Sequence, residues 1–250
     1  MVVSNDGTAG FVGGWDGRVY RFDPETGQIA WQLQVADNDT NTAAQIRATP
    51  ALSRDGTLAF FPAGRALYAV DTAKGELRWA VQTEQVVYTS PTVAQDGTVI
   101  FGGSGGGMAT AVSPTGKVVW SLNLTELGST MGAATADGAH VLLIGCVPPT
   151  AGSTGTGGQQ MLKIEVASGK IVQALGGVGA WQVSAAAISE DASGTAFVPV
   201  NHGFFMVPAQ GNATFCGVGD SRFGSLGAIT IPMDGVVLIP GITGGLRAMV

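Results

Sequence analysis

Residues Phe11–Trp31, FVGGWDGRVYRFDPETGQIAW, decide the fold. Two short extended runs, FVGG and RVYRF, flank the corner Trp15-Asp16-Gly17. A second corner ending in Gly27 leads into another extended run that carries Trp31. The pattern is strand, glycine corner, strand, glycine corner, strand.

Relatives of this stretch recur. The segments VDTAKGELRW (Val70–Trp79) and AVSPTGKVVW (Ala111–Trp120) repeat FDPETGQIAW (Phe22–Trp31), and each places its tryptophan four residues after a glycine. IEVASGKIVQ (Ile164–Gln173) and VPAQGNATF (Val207–Phe215) are weaker copies, with Gln173 and Phe215 in the tryptophan position. An Asp-Gly-Thr-like corner precedes each copy. Its glycines are Gly7, Gly56, Gly97, Gly138, Gly194 and Gly235, so the steps are 49, 41, 41, 56 and 41 residues. Asp-Gly between apolar runs predicts a two-residue type I′ hairpin.

Each unit then holds four strands. In the second they are expected at 49–53, 58–62, 66–71 and 76–82. Four strands in a repeat of about 40 residues is the signature of a propeller blade. No window carries a helical i, i+3, i+4 pattern over three turns. The expected fold is all-β: a single propeller domain with blades near 1–35, 48–83, 87–125, 129–176, 182–218 and 224–250. Five of these are nearly complete and the last is truncated. The ends, a partial first strand and a last repeat without a fourth strand, fit either a piece of a seven- or eight-bladed ring or a six-bladed ring whose last blade is incomplete; the piece is the favoured expectation, since rings close to remove edge strands. Two insertions, 36–47 and 147–158, fall in loops that a meander places on one face, and binding is expected there.

Composition agrees with short buried strands and tight turns. The 250 residues include 39 glycines, with 45% hydrophobic and only 12% charged residues. A net charge of −6 argues against a nucleic-acid partner. No apolar run reaches the roughly 20 residues of a membrane helix. Cys146 and Cys216 lie 70 residues apart, without metal-ligand spacing.

The repeats resemble the tryptophan-docking motif of the PQQ-binding-like propeller family. Gly14-Trp15-Asp16-Gly17-Arg18-Val19-Tyr20 is similar to the segment that leads into that motif. The resemblance implies that Gly27 with Trp31, Gly75 with Trp79, and Gly116 with Trp120 tie blades together. It also favours an extracytoplasmic location, periplasmic or secreted. Family members are either dehydrogenases holding pyrroloquinoline quinone with calcium or propellers without a cofactor.

The enzyme set is not visible. No Cys-Cys pair occurs, and the residues eight before Asp55, Asp96, Asp137, Asp191 and Asp234 (Arg47, Tyr88, Ser129, Val183, Leu226) include no carboxylate. Calcium takes six to eight oxygen ligands. His140 and His202 lack clustered Asp, Glu or Cys, and neither Ser129 nor Ser184 lies in a nucleophile motif. The glycine run 102–107 lacks the Lys-Ser/Thr and helix of a phosphate loop. Asn38, Asn123 and Asn212 are sequons.

What remains is binding. Trp15, Asp16 and Arg18 sit in a strand-to-strand corner, and Arg47, Tyr88, Trp181, Arg222 and Phe223 in or beside interblade links. Aromatic residues and arginine dominate binding hot spots. The expectation is a non-catalytic module, without cofactor, that binds a protein, peptide or glycan. The alternative is a piece of a quinone- and calcium-dependent dehydrogenase whose ligands lie outside this chain.

Overall fold

The computed structural model describes residues 1–35, 46–87, 89–102, 107–124, 126–127, 135, 138–146, 160–175, 187–188, 195–200, 203–208, 214–217, 230–233, 236–240 and 246–249. Strands account for all regular structure among them, and no helix occurs. Backbone contacts divide the chain into two units, Met1–Val93 with Gly97–Asn123, and Ala94–Asp96 with Leu124–Val250. Each contains three antiparallel meanders.

In the first unit the meanders are β1–β4 (Val2–Val3, Gly10–Gly13, Arg18–Phe22, Ile29–Gln34), β5–β8 (Ala51–Leu52, Leu58–Ala63, Ala66–Asp71, Leu77–Gln82) and β9–β12 (Thr92–Val93, Val99–Gly102, Met108–Val112, Val118–Asn123). In the second they are β13–β16 (Glu126–Leu127, His140–Cys146, Gln160–Glu165, Ile171–Leu175), β17–β20 (Ala187–Ile188, Ala196–Val200, Gly203–Val207, Thr214–Gly217) and the three-stranded β21–β23 (Thr230–Met233, Val236–Pro240, Leu246–Met249). Strands pair in chain order throughout, as propeller blades do. The second-blade strands fall within two residues of their expected positions, the first being shorter. Insertion 147–158 lies between β14 and β15 and most of 36–47 between β4 and β5; their conformation lies outside the described residues.

Burial explains the composition. β6 is buried from Ala59 to Ala63, and β10 over its whole length. Such strands are continuous apolar runs rather than alternating ones. The outermost strands β4 and β8 are exposed except at alternate positions, Trp31 and Leu33 in one and Trp79 and Val81 in the other. Phe60 and Phe61, adjacent in β6, point into different cores. Phe61 joins Phe11, Val19 and Ile46, while Phe60 joins Val99, Phe101 and Val112. A period of two thus lets one strand serve two interblade seams.

The Asp-Gly corners differ from the expected type I′ turn. Ser53 N donates to Leu58 O at 2.8 Å and Gly56 N to Ser53 O at 2.9 Å, so four residues, not two, lie in the connection. Only Gly56 needs left-handed backbone there, at φ 70°. Side chains select this form. Asp55 Oδ1 accepts from Ser53 Oγ (2.6 Å), Thr57 Oγ1 (2.9 Å) and Thr57 N (3.1 Å), and Ser53 Oγ accepts from Leu58 N (2.9 Å). Ser4, Asp6 and Thr8 repeat the arrangement. The motif is therefore Ser-x-Asp-Gly-Thr, an Asx-turn lock rather than a bare glycine corner.

These bonds favour the ionised carboxylate and hold Asp6 down to about 2, the Ser4 hydroxyl contributing most. Asp55 is lowered through Ser53 and Thr57 in the same way. A depressed carboxylate adds stability that is complete above its unfolded value, about 3.9, and is lost as pH falls through the folded value. The urea midpoint is expected to hold from pH 7 to about 5 and to fall between about 4 and 2. In the double variant Asp6→Asn, Asp55→Asn that fall becomes shallower. An unchanged acid limb would show that these aspartates contribute nothing.

Candidate functional site

The corner Gly13–Arg18 joins β2 to β3 and carries three of the candidate residues. Gly14 N donates to Arg18 O at 2.8 Å, closing the loop. Inside it Asp16 is committed locally: Oδ1 accepts from Arg18 N (3.1 Å) and Oδ2 from the Tyr20 hydroxyl. The Tyr20 bond lowers the carboxyl of Asp16, and the same bond raises the phenol. Arg18 Nε donates to Gln34 Oε1 (2.9 Å) and Nη1 to Gln32 Oε1 (3.4 Å), so its guanidinium lies along β4. Gln34 Nε2 returns to Asp16 O at 3.0 Å.

Trp15 is left pointing outward, 71% exposed. The link from 46 onward returns beside it because Ile46 N donates to Gly14 O at 3.1 Å. Ile46 then seats on Gly13, where a Cβ would fall 2.2 Å from Ile46 Cγ2; only glycine admits that contact. Seating Ile46 brings the Arg47 guanidinium to 5.6 Å from the centre of the Trp15 ring, a cation–π pair. A shallow cleft of about 400 Å³ opens alongside, lined by Val12, Gly13, Trp15, Ile46, Arg47 and Thr49 among others.

The structure thus joins Trp15 to Arg47, and turns Asp16 and Arg18 toward the support of the corner. Tyr88, Trp181, Arg222 and Phe223 lie outside the described residues. So do Ser129, Val183, Leu226, Ser184, His202, Asn38 and Asn212. Ile46, Tyr20 and Gln34 were not singled out from sequence. Tyr20, four residues after Asp16, carries the one retrospective signal, a hydroxyl placed to reach back to a carboxylate.

The lining holds an indole, a guanidinium, aliphatic walls and a hydroxyl, but no His, Cys, Asp or Glu to move a proton. Among the described residues, no three of those side chains group as metal ligands. His140 opens β14, paired with Glu165 across the ladder. Asn123 ends β12 in an exposed position. The glycine run starting at Gly102 connects β10 to β11, which pair antiparallel, so no phosphate-loop helix follows it.

Trp31 and Trp79 are positioned by the next blade. Trp31 Nε1 donates to Thr72 O at 3.0 Å, and its ring covers Gly75. Trp79 Nε1 donates to Pro114 O at 2.9 Å, and its ring covers Gly116. The rings also meet Phe11 and Phe60, with centroids at 6.1 and 5.7 Å. A register shift before each tryptophan, between Arg21 and Phe22 and between Ala69 and Val70, accompanies this placement. Trp120 is buried, and Gly27 begins the series at φ 72°.

Four-stranded meanders tied by indoles on the following glycine corner define a PQQ-like β-propeller. The family model described as outer membrane protein assembly factor BamB matches residues 15–170, and the chain belongs to that family. Among solved structures, BamB from Moraxella catarrhalis shares the fold with a TM-score of 0.67 at 16% identity, covering 95% of this chain and 65% of that one. Hydrazine synthase of Kuenenia stuttgartiensis does so with a TM-score of 0.69 at 15% identity, covering 96% of this chain and 72% of that one. Identities this low speak to fold alone. The chain spans less than two thirds of the length of the BamB chain. No curated protein sequence matches it significantly.

Proposed function

We propose that this chain is a non-catalytic binding module that holds a protein or peptide segment against Trp15 and Arg47. The observation that carries the reading is an indole left 71% exposed beside a guanidinium at the mouth of a cleft. Tryptophan and arginine are the side chains from which binding energy is most often drawn. Arg47 selects for a carboxylate, and the aliphatic wall with the Trp15 face selects for an apolar or aromatic neighbour. The segment expected is therefore one that places Asp or Glu next to an aromatic residue.

The family description, an assembly factor for outer membrane proteins, supports a protein as partner and a location outside the cytoplasm. No cofactor is required by this reading. No described helix is long and apolar enough to cross a membrane.

The test is a peptide array of acidic-aromatic segments, run in parallel with a glycan array, on the parent and on Trp15→Ala and Arg47→Ala. Peptide binding should fall at least about tenfold in each variant. Stability should stay within about 0.5 kcal/mol for Trp15→Ala, because little of that ring is buried. Equal peptide binding by parent and variants would overturn the site, and binding confined to the glycan array would replace the partner. Saturable, calcium-dependent quenching of tryptophan fluorescence by pyrroloquinoline quinone would overturn the non-catalytic reading.

A further inference from the structure

The internal repeat lets each position be compared with its copies, and one seam between blades lacks a side chain that another contains. The residue preceding the tryptophan's cross-strand partner is Tyr20 in β3, Tyr68 in β7 and Thr110 in β11. These pair with Gln32, Ala80 and Ser121, each one residue beyond its blade's tryptophan. Tyr68 packs on the core between the first and second blades, as do Leu33 and Val35 from β4 and its end. Thr83 is the copy of Val35. Val35 N donates to Gly17 O and Thr83 N to Arg65 O, the residues just before β3 and β7.

Between the second and third blades both bulky groups are therefore threonine. An open pocket of about 190 Å³ lies there, lined by Thr83, Gln85, Met108 and Thr110 and, toward solvent, by the exposed Gln82, Glu84, Val118 and Ser121. That volume is of the order that a single aromatic ring occupies. This pocket is not wholly apolar. Gln85 Oε1 is buried and no donor among the described residues reaches it. A buried acceptor without a donor carries the full cost of its desolvation, so an occupant that donates one hydrogen bond gains where a hydrocarbon does not.

The geometry points to a site for a single phenol-type ring, seated between Met108 and Thr110 with its hydroxyl donating to Gln85 Oε1. The ring occupies the space that the tyrosine of the repeat fills one seam earlier. The site is separate from Trp15 and Arg47 and shares no residue with them.

The probe is p-cresol, the tyrosine side chain without its backbone, titrated into the full chain with ¹³C-methyl methionine labelling. The Met108 methyl resonance, assigned with Met108→Leu, should shift saturably. Thr110→Tyr should raise the urea midpoint and abolish the shift. Gln85→Leu should weaken p-cresol about fivefold while leaving toluene unchanged, a readout that stands even if Thr110→Tyr fails to fold. A Met108 methyl that p-cresol never moves would overturn the inference, as would equal p-cresol affinity in parent and Gln85→Leu. N-acetyltyrosinamide separates the sources. Binding as tight as that of p-cresol would make the occupant a partner's tyrosine, and exclusion of the peptide with binding of p-cresol would make it a free phenol.

Discussion

Replacing Trp79 with alanine is expected to lower the unfolding free energy by at least about 3 kcal/mol, the lower end of large-to-small aromatic losses. The indole is held by three contacts with different chemistry. Its ring lies on Gly116 and meets Phe60 with centroids 5.7 Å apart, and its Nε1 donates to Pro114 O at 2.9 Å. Burying a whole tryptophan removes about 150–250 Å² from water, on the order of 4–6 kcal/mol as an upper bound. Trp79 keeps part of its ring exposed, which places the expected loss below that bound. The truncation also strands a carbonyl that solvent must then satisfy. In a repeat architecture stability is the sum of unit and interface terms, so the loss falls on the seam between the second and third blades. Equal urea midpoints for parent and variant would overturn the docking role.

Gly75→Ala is expected to cost about 2–4 kcal/mol, against about 1 kcal/mol for Gly27→Ala. The two positions have nearly the same backbone, φ 70° and φ 72°. A left-handed conformation therefore penalises a Cβ equally at both. Their surroundings differ. At Gly27 a Cβ meets nothing within 4 Å, whereas at Gly75 it would lie 2.7 Å from Trp31 Cδ2 and 2.8 Å from Cγ. Those are ring atoms held by the bond to Thr72 O, so the indole must lift off and lose that bond. The difference between the variants isolates the stacking term from the backbone term. Equal losses in urea titrations of the two would show that Trp31 tolerates displacement.

Much of this architecture was legible because its determinants are local. Glycine corners at a spacing of 41 residues, and a tryptophan four residues after the second corner, bring the blade pattern into view without any long-range information. The corner chemistry was only half legible. Asp-Gly suggested a two-residue turn, while Ser4 and Ser53, two positions upstream of the aspartates, select the four-residue form through their hydroxyls. The signal was present in Ser-x-Asp-Gly-Thr and was masked by Ala94 in the third copy.

The candidate site was less legible. Trp15, Asp16 and Arg18 are adjacent in sequence and equally suited to binding a ligand, yet the fold separates them. Asp16 and Arg18 bond to Tyr20, Gln32 and Gln34, and the indole takes a partner from the next blade's link.

In Phe11–Trp31 local residues suffice to specify three extended runs, two glycine corners and an indole that needs a neighbour, because turn preference and strand alternation are properties of a few consecutive residues. Tertiary structure alone decided where that neighbour is. The acceptors of Trp31 and Trp79 are the backbone carbonyls of Thr72 and Pro114, atoms that every residue possesses and no sequence pattern marks. The pairing of Trp15 with Arg47, and the gap where Thr110 replaces the tyrosine of the earlier blades, likewise exist only once blades stack. Contacts between blades depend on which faces meet, and local sequence encodes the faces without encoding the meeting.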